Sequence, residues 1–389
     1  MKTILTASAG KLALDFVSLV SLAFLSEFCF AQAAITPGTG YVSVPTAHLE
    51  FDKPIMVTSL TQGSGIAGTI SCTDTGSVLF LMDRSDPGTD ANGHPLGHIE
   101  LVSVTPKGEL RQYAWSNLPN FRNVLAPTSY FAADGKVYAL VHAEKIDANH
   151  PEQRQPSLPL VLVFGSNGDM ERTIPVDPAL DPITLGAYAN GDLLLISEDT
   201  LNRRMRLTVM DSVGGAVREL RLFDNDAMGH NGAGAPSANG DVTYSPDLLA
   251  HFTEIHAFGD DLLLVPMNTW GMPIVEVNEN GIVRAVRPAL PQNVVVGWWI
   301  DSDGRTWKVR TGEVRGKPVK DASTGEVMGV AVTGSKEIVE INPNDGAVTR
   351  RIAIDPGGVL PACEHDGDYE FLTAQQKDGL LEMVRATAR

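Results

Sequence analysis

A chain of 389 residues with 30 lysines and arginines against 47 acids carries a formal charge of −17. Phosphate backbones and anionic lipid repel so acidic a protein, so nucleic acid is not an expected partner. The length is far beyond a small disulfide-stapled module and suits a repeat array or barrel that holds a long chain as one domain.

In chain order, the first segment reads as an export leader. Lys2 and Lys11 form a weakly basic start, Phe16 to Leu25 is apolar but for serines, and Ala31-Gln32-Ala33 fits the small-x-small rule for cleavage. The apolar run is too short to span a bilayer. The expected boundaries are a signal peptide over 1–33 and a single domain over 34–389. Asp15 and Glu27 are unusual in such a leader, which leaves an uncleaved N-terminal anchor as the alternative. No later segment approaches membrane-span length, so the mature protein is expected in the periplasm or extracellular space, monomeric and without an integral membrane segment. Cleavage leaves two of the three cysteines, Cys72 and Cys363.

Beyond the leader, short apolar runs bounded by Gly, Asn, Asp and Pro predict strands and turns. One turn type precedes a strongly apolar strand. Ala133-Asp134-Gly135 leads into Val137-Tyr138-Ala139-Leu140, and Asn190-Gly191-Asp192 into Leu193-Leu194-Leu195-Ile196. Its glycines stand at 76, 135, 191, 259, 304 and 367. Asp-Gly and Asn-Gly supply the positive φ angles of a tight hairpin. A second type follows an alternating strand, as in Val161-Leu162-Val163-Phe164-Gly165-Ser166-Asn167-Gly168 and Val275-Glu276-Val277-Asn278-Glu279-Asn280-Gly281. Each unit therefore holds four strands. The first-type glycines lie 45 to 68 residues apart, enough for a four-stranded blade plus loops. A plain β-sandwich does not explain two turn types alternating five times. Six first-type turns and five second-type turns predict six blades, with the segment Ile55 to Leu60 supplying the outer strand of the last one.

The repeat resembles the six-bladed β-propeller superfamily, the broad group that includes NHL-type and TolB-type propellers. The resemblance covers about residues 41 to 389 and implies architecture rather than activity, since propellers host hydrolases, lyases, scaffolds and receptors. The gluconolactonase-like branch holds a divalent ion in its channel, and its early Glu-Gly-Pro motif is missing here.

Cys72 and Cys363 each lie four residues before a first-type glycine, so they hold equivalent places in the first and last units. They become neighbours in a closed ring, where a disulfide and two buried thiols both remain open.

Four features carry candidate chemistry. Glu254 and His256, two apart on a predicted inner strand, share a face and can hold a metal or pair a base with an acid. Glu364 and His365 fall in the equivalent region of the last unit. Trp298 and Trp299 are candidate binding residues for a sugar, cation or apolar ligand. His230, a further candidate binding residue, lies at the centre of a long Gly-, Ala- and Asn-rich stretch over 225–240, and 312–334 reads as an extruded loop or hairpin. Nucleophile-elbow, phosphate-cradling, Cys-x-x-Cys and dinucleotide motifs are absent. The expected function is an exported module that binds a protein, peptide or glycan, with no resident cofactor. The alternative is a metal-dependent hydrolase or lyase holding a divalent ion such as calcium through Glu254, His256, Glu364 and His365.

Overall fold

The computed structural model describes residues 44–389 apart from 60–64, 74, 90–94, 203, 216, 221–248, 250–251, 267–272, 287, 291–293, 301–305, 314–318, 321–326, 330–336, 355–359, 366–367 and 376–379. The expected leader over 1–33, His230 and the stretch 225–240 lie outside the described residues.

The chain opens with β1 (Thr46–Phe51) and β2 (Ile55–Ser59). The first sheet is a meander of β3 (Gly65–Cys72), β4 (Val78–Thr89), β5 (Pro95–Val104) and β6 (Leu110–Tyr113). The second holds β7 (Phe121–Arg122), β8 (Ser129–Ala133), β9 (Lys136–Lys145), β10 (Ser157–Phe164) and β11 (Met170–Pro175). The third is β12 (Leu180–Ala187), β13 (Leu193–Asp199), β14 (Arg204–Met210) and β15 (Val217–Glu219). The fourth is β16 (Phe252–Phe258), β17 (Asp261–Pro266), β18 (Ile274–Asn278) and β19 (Gly281–Val286). Then come β20 (Val294–Ile300), β21 (Trp307–Glu313), the small hairpin β22 (Val319–Lys320) and β23 (Val327–Gly329), β24 (Glu337–Ile341) and β25 (Val348–Ala353). The chain ends with β26 (Leu360–His365), β27 (Asp368–Gln375) and β28 (Leu380–Ala388).

The fold is an all-β propeller, with no α-helix among the described residues. Among the described residues it has five blades, which corrects the expected six. β1 pairs in parallel with β25, Ala47 opposite Ile352, and antiparallel with β28, Glu50 opposite Thr387. One short strand thus occupies the outer edges of two repeat units and fuses them into a nine-stranded sheet. Covering both edges removes two rows of unpaired backbone groups. β2 also lies along β28, with Ile55 opposite Met383 and Ser59 opposite Leu380.

Local chemistry explains the strands. Asp134 and Gly135 have φ of 49° and 66°, the two positive angles that let a two-residue turn match the twist of β8 and β9. Strands after first-type turns are buried on both faces, as at Val137 to Val141 and Leu193 to Ile196, all at most 4% exposed. Each such aliphatic side chain contributes about 1.5–3 kcal/mol of burial. The core lies between sheets. One cluster joins the first and second sheets, another the second, third and fourth, and a third packs Leu263 and Val265 against Trp307 and Val309. Phe80 and Val102 of the first sheet pack with Cys363, Leu381 and Met383. Gly186 permits the close approach of the third and fourth sheets, because a Cβ there would sit 2.6 Å from Ile255 Cγ2.

Candidate functional site

The strands that precede first-type turns lie at sheet edges, and several bond to one another. Tyr130 Oη on β8 donates to the Thr69 carbonyl on β3. The Leu185 amide on β12 donates to Ser129 Oγ at 3.1 Å. Cys72 on β3 and Cys363 on β26 are joined by a disulfide, their Cα atoms 5.6 Å apart.

Glu254 and His256 meet on β16, with His256 Nε2 2.9 Å from Glu254 Oε2. Glu254 is only 6% exposed, and its other oxygen, Oε1, is buried without a hydrogen-bond partner. Such an atom forgoes hydration with nothing in return. Burial pushes the Tyr130 phenol up to about 12, and the nearby Glu254 charge adds to the rise against the Thr69 hydrogen bond.

Glu364 forms a buried ion pair with Lys308 of β21. His365 ends β26 opposite Asp368. Among the described residues no group of three or more His, Cys, Asp or Glu side chains is placed to hold a metal ion. Trp298 and Trp299 lie on β20 opposite Arg310 and Val309. Burial lowers Arg310 to about 9.

A second place was not visible in the residue pattern. Between the first and second sheets runs a groove of about 880 Å³, lined by Asp83, His98, Glu100, Gln112 and Trp115 on one side and by Asn167, Gly168 and Asp169 on the other. Glu100 anchors it. Its Oε2 accepts from Arg84 Nε at 2.6 Å, and its Oε1 accepts from Gln112 Nε2 at 3.0 Å and lies 3.1 Å from His98 Nε2. Burial works against the Glu100 charge, but the hydrogen bonds from His98 and Arg84 outweigh it and hold the carboxyl below its ordinary value. Trp115 is half-buried against the core shared by the two sheets. Across the groove Asn167 Nδ2 donates to Asp169 Oδ2 at 2.6 Å. The two walls are tied by Arg111 Nη1 donating to the Ser166 carbonyl. The only sequence signal here was the Gly165-Ser166-Asn167-Gly168 turn, which reads as a turn and nothing more.

No protein-family model matches the chain, and no curated protein does. Solved structures resemble it weakly. YCF48 bound to D1 peptide has a TM-score of 0.35 and 9% identity, over 91% of this chain and 99% of that one. The Cps50 (Swd1) β-propeller domain of Myceliophteria thermophila has a TM-score of 0.36 and 11% identity, over 85% and 99%. Trypanosoma rangeli sialidase in complex with the inhibitor DANA has a TM-score of 0.36 and 12% identity, over 87% and 55%. Likeness at this level carries no functional argument.

Proposed function

We propose that this chain is an exported β-propeller that binds a protein, peptide or glycan, with residues 1–33 as its leader and 34–389 as its one domain. The observation that carries the reading is the groove between the first and second sheets: an open site with polar walls, a half-buried indole and side chains already held by hydrogen bonds. Pre-ordered side chains lose less freedom when a ligand arrives. Export is supported by the leader and by the Cys72–Cys363 disulfide, which suits an oxidising compartment. Ring closure is supported by that same bond and by β2 lying along β28. The test is to screen the mature protein on peptide and glycan arrays beside Asn167→Ala. Ligands retained by the wild type and lost by the variant support the reading; an identical set for both removes the groove from it.

The second reading, a metal-dependent hydrolase or lyase, draws on the unpartnered buried oxygen of Glu254. Glu254 and His256 are two donors and by themselves fall short of a complete ligand set. Native mass spectrometry with and without a chelator decides it. A stoichiometric ion, such as calcium, lost to the chelator supports this reading, and a metal-free mass rejects it.

A further inference from the structure

The lining of the groove narrows its ligand to one chemical class. We infer that it takes an uncharged oligosaccharide stacked on Trp115, an assignment that rests on the binding role proposed above. The groove, of about 880 Å³ and open to solvent, has room for a ligand of several rings. Trp115 packs one part of its indole on the core and lines the groove with another. An apolar ring face beside polar oxygens matches a sugar, whose C–H face is apolar and whose rim carries hydroxyls. Asp83, Asn167 and Asp169 are exposed and present oxygen acceptors to such hydroxyls.

Charge disfavours anions. The exposed carboxylates Asp83 and Asp169 line the site, the third, Glu100, is paired with Arg84 and His98, and Arg111 is turned to the Ser166 carbonyl between the walls. A uronate, a phosphate or an acidic peptide would meet like charge at short range. Strand addition by a peptide is obstructed as well. β6 is the outer strand of its sheet, the kind of edge a peptide extends. The turn at Gly168 presses on it so closely that a Cβ there would stand 3.0 Å from the Gln112 carbonyl, and Arg111 already bonds Ser166. The edge is covered where the groove runs, which leaves recognition to side chains.

The experiment titrates the mature protein with cellohexaose, maltohexaose and chitohexaose, with tetragalacturonate as the anionic control, by calorimetry and tryptophan fluorescence. At least one neutral hexasaccharide should saturate, and tetragalacturonate should not. Trp115→Ala should weaken binding about tenfold or more. Asn167→Ala, an exposed substitution outside the core, should also weaken it about tenfold, enough to lose array signal, with only a small drop in melting temperature from the lost bonds to Asp169. The assignment is overturned if no neutral hexasaccharide saturates, or if binding is unchanged in both variants. Failure of the sugars alongside array peptides that bind the wild type and not Asn167→Ala would reject the oligosaccharide and keep the binding role. If no array ligand is lost in that variant either, both fall.

Discussion

Two Glu–His pairs of identical spacing sit in different parts of this molecule. His98 and Glu100 lie two residues apart on β5, and Glu254 and His256 two apart on β16. In both, the histidine Nε2 lies about 3 Å from a glutamate oxygen, at 3.1 Å and 2.9 Å. The surroundings separate them. Glu100 has both oxygens engaged, by Arg84 on one side and by His98 and Gln112 on the other, and its side chain is 19% exposed. Glu254 has one oxygen engaged and the other buried with no partner. The same local chemistry therefore yields a settled surface cluster in one place and an incomplete buried one in the other. A strand places the two side chains on one face; the neighbouring sheet decides whether they are satisfied.

The largest expected effect calibrates that contrast. Lys308→Ala removes the cation of the buried pair with Glu364 and should cost about 3–5 kcal/mol in urea unfolding. Glu254→Ala should cost less, about 1–3 kcal/mol, because the hydrogen bond to His256 is lost while the unpartnered oxygen disappears as well. A loss as large as that of Lys308→Ala would mean that Glu254 has a fuller set of partners than the hydrogen bond to His256 provides. Glu100→Ala should fall at or below about 1 kcal/mol, the range of a partly exposed ion pair.

The finest distinction is in pH dependence. The Glu100 carboxyl titrates below its ordinary value of 4.5. A depressed folded value means that its contribution is complete above the unfolded value and is lost as the pH falls through the lower folded one. Urea midpoints should therefore drop for the wild type below about pH 4.5, and Glu100→Gln should lose that part of the acid limb. An unaltered acid limb in the variant would show that His98, Arg84 and Gln112 do not hold the charge in solution.

Much of this architecture is legible in local chemistry. Turn glycines, alternation and doubly buried strands are consequences of backbone sterics and a two-residue period, and they depend on near neighbours alone. That is why Asp134-Gly135 marks a hairpin, and why the equal offsets of Cys72 and Cys363 from Gly76 and Gly367 put both cysteines on the strands that the disulfide now joins. The blade count was not legible, because β1 lies far along the chain from β25 and β28 and nothing in Thr46–Phe51 states which edges it will cover. The Glu364–Lys308 pair and the groove escaped for the same reason. Each is built from residues tens of positions apart, Lys308 with Glu364 and Trp115 with Asn167. Such meetings are set by how sheets pack on one another, a sum of many small burial and hydrogen-bond energies that no single segment contains.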